Sequence, residues 1–421
     1  MSAPAETGDR HNDAGTAIEL LDLTRPQIEA LVQEWGYKAF HGRNLFKWIH
    51  KHGLTDFQAM TDLPTRLRVH LAATCRVAPP RVIFERPAPD GTVKWLLEVD
   101  DGQRIETVLI PEGDRRTLCI SSQVGCALDC AFCATGGQGF ARNLRVAEIV
   151  GQVWLATRRL GAAPSNVVLM GMGEPLANFA AVAAALEIFQ DDLAYLLSKY
   201  RVTVSTSGIV PGIERLRDVS EVSLAVSLHA PSNALRNELM PINRKYPLEA
   251  LLPACKAYLR GDRRRRITWE YVMLDGVNDG LREAKQLIRL LEGIPSKINL
   301  IPFNPFPGSS FRTSPPDRVD AFRQRLMRSG IITLTRKTRG DAIDAACGQL
   351  VGRVQPLARG SRRPTGLHRA VPPARPMASP LLETAQGKCK EATPALHEGA
   401  EQTLQKIGSL PNYRRVETSA P

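Results

Sequence analysis

From residue 117 to residue 336 the chain repeats one pattern: a short apolar run rich in β-branched residues, then an amphipathic stretch. The runs are "TLCIS", "NVVLMG", "RVTVST", "VSLAVSL", "ITWEYVML", "KINLIPF" and "ITLTR". Helical spacing falls between them at 145–160, 177–190, 210–217, 247–260, 279–292 and 316–329. Apolar runs of this length are strands covered on both faces, and strands alternating with helices make a parallel sheet. The number of units predicts an α/β fold, a partial (β/α) barrel of the TIM type. In such a fold chemistry sits at the C-terminal ends of the strands, so the informative residues are those just after each run.

Upstream the period changes. Residues 1–16 are polar and are expected to be disordered. Residues 17–76 carry helical spacing in "TRPQIEALVQEWG", "GRNLFKWIHKHG" and "LPTRLRVHLAATC", with Pro26 in the first turn of the first helix. On the exposed face of this small module fall Lys38, Arg43, Lys47, Lys51, Arg66 and Arg68, either a solvated surface or an RNA grip. Residues 77–112 hold "RVIFERPA", "TVKWLLEVD" and "QRIETVLIP", separated by "PDG" and "DDG". They predict a three-strand β meander joining the barrel core of residues 113–355. Residues 356–421 are rich in Pro and Arg without periodicity, and predict a disordered basic tail.

Lysine and arginine outnumber aspartate and glutamate 55 to 43, a net charge of +12. A surplus of that size favours a polyanionic partner, most simply RNA or DNA. No apolar run reaches the length of about 18 residues that spells a membrane-spanning helix. The N-terminus lacks the basic start and apolar core of a secretory signal. A cytoplasmic location is the expectation. Eight cysteines in 421 residues do not make a disulfide scaffold; in a reducing compartment, the bunching of three of them favours metal binding or catalysis.

Those three are in "GCALDCAFC": Cys126, Cys130 and Cys133, spaced C-x3-C-x2-C just after the first strand of the predicted barrel. Soft thiolates suit an iron–sulfur cluster or zinc. A structural zinc needs a fourth protein ligand. Cys119 is seven residues back within the strand, and no nearby histidine completes a set. Three thiolates on a four-iron cluster leave one iron open to chelation by a substrate or cofactor.

This spacing resembles the radical S-adenosylmethionine (SAM) superfamily, where the amino and carboxylate groups of SAM take the open iron and an electron from the cluster cleaves SAM to a 5′-deoxyadenosyl radical. "SSQVGCALDCAFCATG", "VLMGMGEPL", "VTVSTSGIVPGI", "VSLAVSLHAP", "INLIPFNPFPG" and "TRKTRGDAIDAACGQL" together resemble the bacterial RNA adenine-C2 methyltransferases, the RlmN family, over residues 20–354. The resemblance implies one [4Fe-4S] cluster on Cys126, Cys130 and Cys133. It implies SAM contacts at Gly173, Glu174, Ser205, Ser227, Leu228, His229 and Asn304. The residues suit those contacts: glycines let backbone approach a ligand, a carboxylate accepts from an ammonium, and hydroxyl, imidazole and amide groups at strand ends suit ribose and adenine. His229 taken alone would be a structural hydrogen bonder.

Two further cysteines enter through the resemblance. Cys347, in "DAACGQL", matches the cysteine that becomes methylated, and Cys119 matches its resolving partner. Both are expected to face the barrel mouth. Carbon 2 of adenine is electron-poor, so a direct SAM methyl transfer has no nucleophile to use. The implied route spends two SAM per turnover, one to methylate Cys347 and one to supply the radical that takes a hydrogen from the S-methyl group. The methylene radical then adds to carbon 2. A base removes the proton, and Cys119 releases the product by forming a disulfide with Cys347, which an external reductant must reopen. Glu106, in "RIETVLIP", matches the proton acceptor; alone it reads as an exposed strand carboxylate. The implied partners are 23S rRNA, tRNA next to the anticodon, and an electron donor such as flavodoxin or ferredoxin, with no membrane and the protein a monomer. The basic runs "RGDRRRR" and "TRKTRG" are candidate phosphate contacts, the second favoured because it precedes Cys347. The alternatives are the sister, Cfr-like activity at carbon 8, or a zinc-stapled RNA-binding protein without catalysis.

Overall fold

The computed structural model describes residues 17–262, 264–337, 340 and 348–351. Cys347, Arg263, Arg339, the first 16 residues and the tail with Cys389 lie outside the described residues.

The chain opens with a two-residue strand, β1 (Ile18–Glu19), which pairs in parallel with β2 (Cys75–Arg76). Between them lie α1 (Arg25–Glu34), α2 (Ala39–His50) and α3 (Thr65–Thr74). Pro26 sits in the first turn of α1, and Gln27 Oε1 accepts from the Thr24 N–H at 2.8 Å, closing the helix start. Leu45, Phe46 and Ile49 of α2 are fully buried in an apolar core that continues into the barrel helices.

Four antiparallel strands follow: β3 (Arg81–Pro87), β4 (Val93–Glu98), β5 (Arg104–Glu112) and β6 (Arg115–Cys119). Asp90 and Asp101 turn the first two hairpins, each carboxylate accepting from the N–H two residues on. Next come β7 (Gln123–Gly125), α4 (Ala134–Gly137), β8 (Phe140–Asn143) and α5 (Val146–Leu160). The alternating part then runs β9 (Asn166–Leu169), α6 (Phe179–Gln190), β10 (Val202–Thr206), α7 (Val210–Val219), β11 (Ser223–Ser227), α8 (Asn233–Leu239), α9 (Leu248–Tyr258), β12 (Ile267–Met273), α10 (Leu281–Leu290), β13 (Ser296–Pro302), α11 (Pro316–Arg328) and β14 (Ile332–Thr335).

One ten-stranded sheet contains both parts, in the order β14-β13-β12-β11-β10-β9-β6-β5-β4-β3. The seven strands β6 and β9–β14 are parallel, and the meander extends the same sheet beyond β6. The ends β3 and β14 do not pair among the described residues, which makes this the expected partial barrel. All seven apolar runs are strands and all six helical stretches are helices.

The period of two divides each barrel strand. Val167, Leu169, Val204, Leu224, Val226 and Leu300 enter the core shared with the helices. Polar side chains stand at alternate, inward-facing positions: Thr203, Ser205, Ser227, Glu270 and Asn299, with Ser227 beside Glu270 and Glu270 beside Asn299 in register. Apolar pressure therefore closes the outer layer while the interior stays chemically equipped. No described helix is long and apolar enough to cross a membrane.

Gln152 of α5 joins the barrel to the segment that carries the cysteines. It is fully buried, and its Oε1 accepts from Thr107 Oγ1 at 2.7 Å and the Ser121 N–H at 2.8 Å, while Nε2 donates to Ser121 O at 2.9 Å and Glu148 O at 3.0 Å. Gln152→Leu keeps the bulk and strands these groups. It is expected to lower the unfolding free energy by roughly 3 kcal/mol, at about 1–3 kcal/mol for each buried group left unpaired; a denaturant midpoint equal to wild type would contradict the staple.

Candidate active site

The cysteine loop leaves and returns through the β7–β8 hairpin. The strands pair antiparallel, and Cys126 N–H donates to Gly139 O at 2.8 Å. Gly125 lies at φ +75°, and a Cβ there would sit 2.0 Å from the same carbonyl oxygen, so only glycine can precede the first cysteine. This hairpin was missed in the sequence because β7 is three residues long and shows no period.

Beyond the hairpin the loop drops into an apolar seat separate from the main core. Cys130, with Leu128, Phe132 and Cys133 beside it, packs with Leu239, Met240 and Phe303. Ala131 N–H donates to Leu239 O at 3.0 Å, at the end of α8. Burial pushes the Cys126 thiol up to about 12 and the Cys130 thiol well above its usual range; Cys133 and Glu174 push both the same way. Thiols in such a place stay protonated until a metal displaces the proton, the behaviour of a soft-ligand site. Among the described residues, no three His, Cys, Asp or Glu side chains converge on one ion. The donor set is three soft sulfurs, which suits a four-iron cube with one iron left open, whereas a structural zinc needs a fourth protein ligand.

Glu174 ends the turn after β9. Gly171 and Gly173 press this turn against residues 120–123: a Cβ on Gly171 would lie 2.7 Å from Ile120 O, and one on Gly173, at φ +95°, would lie 2.4 Å from Gln123 Cβ. Gln123 then bridges the two segments, accepting from the Glu174 N–H at 2.8 Å and donating to Asn143 Oδ1 at 2.8 Å. The Glu174 carboxylate is buried, with Oε1 accepting from the Leu176 N–H at 3.1 Å and Oε2 from the Ser207 N–H at 2.7 Å. Burial raises its pKa against those hydrogen bonds. The groups that donate to it are neutral N–H donors, so an incoming ammonium would be its cation.

The remaining expected SAM contacts line the same mouth. Ser205 lies one residue inside the end of β10, and Ser227 ends β11. The Leu228 side chain is fully buried in the main core, so only its backbone can meet a ligand. His229 is buried at φ +56°; Nδ1 accepts from the Val272 N–H at 2.9 Å, and its ring meets Phe132 edge-on at 4.4 Å. Burial, then Arg236, pushes its pKa down to about 3, so it is a neutral imidazole with Nε2 carrying the proton. Asn304 is buried just beyond β13.

Glu106 is not an exposed strand carboxylate. It is buried on β5, its Oε1 3.2 Å from the buried Lys94 ammonium and its Oε2 accepting from the Val351 N–H at 2.8 Å. By register Lys94, Val108 and Cys119 are cross-strand neighbours, and Glu106 shares their face. Gly348, which follows Cys347 in the chain, accepts from the Ala134 N–H at 2.8 Å, and Leu350 O accepts from Thr135 Oγ1 at 2.7 Å. Residues 348–351 are thus fastened between the cysteine loop and Glu106.

Two basic expectations change. "RGDRRRR" precedes β12 and lies at the N-terminal ends of the strands, away from the mouth; its Arg265 is buried, donating to Tyr258 O and Val222 O. Arg336 is half-buried, 3.3 Å from Glu270 and 3.5 Å from Met170 Sδ, so one side of its guanidinium is already engaged within the barrel. Lys337 is exposed. Sequence reading also missed Arg236 of α8, which is fully buried. A charged residue every few positions is ordinary on a helix, and nothing local marks this one as internal.

The chain has close relatives. Residues 18–77 match the ribosomal RNA large subunit methyltransferase N-terminal domain, and residues 120–291 match the radical SAM superfamily. A dual-specificity RNA methyltransferase RlmN of Alkalilimnicola ehrlichii is 55% identical over 349 residues, covering 82% of this chain and 97% of the relative. One of Halorhodospira halophila is 54% identical over 339 residues, covering 80% and 94%. The crystal structure of a radical SAM methyltransferase from Sphaerobacter thermophilus matches with a TM-score of 0.75 at 44% identity, over 79% of this chain and 99% of that one.

The glycine contact is directly testable. Gly173→Ala places its Cβ against Gln123 backbone and side chain at a positive φ, and is expected to cost more than about 1 kcal/mol. A lower denaturant midpoint and weaker SAM binding by calorimetry are expected; an unchanged midpoint would contradict the close approach.

Proposed function

The chain belongs to the RlmN family of radical-SAM RNA methyltransferases, and from that premise we propose that it methylates carbon 2 of adenosine in 23S rRNA and in tRNA next to the anticodon. The observation that carries the residue assignments is the fastening of residues 348–351. Their N–H and carbonyl groups are held by Glu106 and by the turn after Cys133. This supports reading Cys347, Glu106 and the cysteine loop as parts of one mouth.

In this reading Cys126, Cys130 and Cys133 hold one [4Fe-4S] cluster, and Glu174 receives the amino group of SAM. Ser205, Ser227, His229, Asn304 and the backbone at Gly173 and Leu228 hold the rest of SAM. When bound, cluster and SAM supply a 5′-deoxyadenosyl radical. Cys347 carries the methyl group as S-methylcysteine and delivers its carbon to the base. Glu106, placed beside Lys94, receives the proton leaving carbon 2. Cys119, on the same inward face, closes a disulfide with Cys347 and so releases the RNA; a low-potential donor such as flavodoxin or ferredoxin serves the cluster.

Two SAM are used per turnover, and the enzyme works as a cytoplasmic monomer. The helical part, residues 17–76, grips RNA through exposed Lys38, Arg43, Lys51 and Arg66. Reaching carbon 2 requires the target adenine to be splayed out of its stack into the mouth.

Mass spectrometry of rRNA and tRNA nucleosides from a deletion strain is expected to show loss of 2-methyladenosine; loss of 8-methyladenosine instead would overturn the assignment of the reacting carbon. Cys119→Ala is expected to accumulate RNA covalently joined to the protein, seen as a shifted band on a denaturing gel. Clean multiple turnover by that variant would remove Cys119 from the release step. Cys347→Ala is expected to lose RNA methylation while still cleaving SAM, and methylated RNA from it would refute the methylcysteine route.

A further inference from the structure

Arg236 is a fully buried cation held entirely by neutral acceptors. Its Nε donates to Leu228 O at 3.2 Å, Nη1 to Asn243 Oδ1 at 2.6 Å, and Nη2 to Ser207 O at 2.8 Å and Ser227 O at 3.0 Å. No carboxylate is among these partners. Arginine in a protein interior normally faces an anion, because carbonyl dipoles alone do not replace lost hydration of a charge.

The position of α8 links Arg236 to Cys130. Leu239 O, at the end of this helix, accepts from Ala131 N–H, and Leu235, Leu239 and Met240 pack in the apolar seat of Cys130. Arg236 lies in the same turn, with its carbonyl accepting from Met240 N–H at 2.7 Å. The helix that carries the cation therefore also holds the segment of the middle cysteine, and the cation is buried away from solvent screening.

We propose that Arg236 is the built-in counter-cation of the iron–sulfur cluster, a positioning residue that raises the cluster's reduction potential through its fixed charge at Cys130. The inference rests on the reading of Cys126, Cys130 and Cys133 as cluster ligands and adds to it a residue that touches neither iron nor SAM. Three thiolates outweigh the positive core of an oxidised four-iron cluster, and one electron from the external donor adds further negative charge. A neighbouring fixed cation stabilises the reduced form more than the oxidised one. No bond to Arg236 forms or breaks and no proton moves. Three of the four hydrogen bonds, to Ser207 O, Ser227 O and Leu228 O, hold the ends of β10 and β11 together, so the charge and the strand ends proposed to bind SAM share one anchor.

The test is an EPR-monitored redox titration of anaerobically reconstituted protein with dithionite, without SAM, on wild type, Arg236→Lys, Arg236→Gln and Asn243→Asp. Asn243→Asp keeps Arg236 and sets a carboxylate against it, quenching the charge where Arg236→Gln removes it. Arg236→Gln and Asn243→Asp are each expected to shift the reduction equilibrium at least tenfold toward the oxidised cluster, 59 mV for a one-electron couple. Arg236→Lys is expected to stay within threefold of wild type. If the Arg236 variants fail to hold iron, Asn243→Asp decides alone. Potentials equal to wild type in the loaded Gln and Asp variants, or an equal fall in all three, would overturn the proposal. A wild type that binds no iron would instead overturn the cluster reading beneath it.

Discussion

The site depends on the close approach of two backbone turns. Gly171 and Gly173, after β9, lie against residues 120–123, after β6, with no room for a Cβ on either glycine. Gln123 and Asn178 then stitch the turns together, Asn178 Nδ2 donating to Ser122 O at 2.9 Å and Leu144 O at 2.8 Å. The turn after β6 leads into the loop of the three cysteines, and the other carries Glu174. Their contact sets where the cysteine loop stands relative to the Glu174 carboxylate. Neighbouring parallel strands make this possible, because β6 and β9 pair directly and end at the same face.

A second consequence of the fold is the division of labour between its layers. The helices and the outward strand positions form one apolar core, while the cysteine loop has a smaller apolar seat of its own. The inward face and the mouth carry buried polar groups that are tied by hydrogen bonds. Glu106 with Lys94, His229 on Val272, and Arg236 on four acceptors are each held by more than sterics. Pre-set partners of this kind fix reactive groups before substrate arrives, which matters for a reaction that generates a radical.

The alternation of strands and helices was readable from the sequence because buried parallel strands write their burial on both faces. "GCALDCAFC" and "GMGEP" were readable because sulfur ligands and paired glycines have few other uses at such spacing. Lys94 and Arg236 were not readable: each looks like an ordinary charged residue until long-range pairing places Lys94 on Glu106 and Arg236 under the cysteine loop. For the same reason the placement of "RGDRRRR" and Arg336 was not readable, since a run of cations does not state which strand end it occupies or whether it turns inward. The β7–β8 hairpin and α8 were lost to shortness, their stability coming from tertiary contact and not from local preference.

In the proposed function the three cysteines together bind a four-iron cluster with one iron left for SAM. Iron and acid-labile sulfide content of the anaerobically purified protein measures it most directly, with Cys133→Ala as the control. About four irons and four sulfides per chain, lost in the variant, with a SAM-dependent change in the EPR spectrum of the reduced cluster, is the predicted result. A colourless protein carrying stoichiometric zinc, or a cluster spectrum indifferent to SAM, would contradict it.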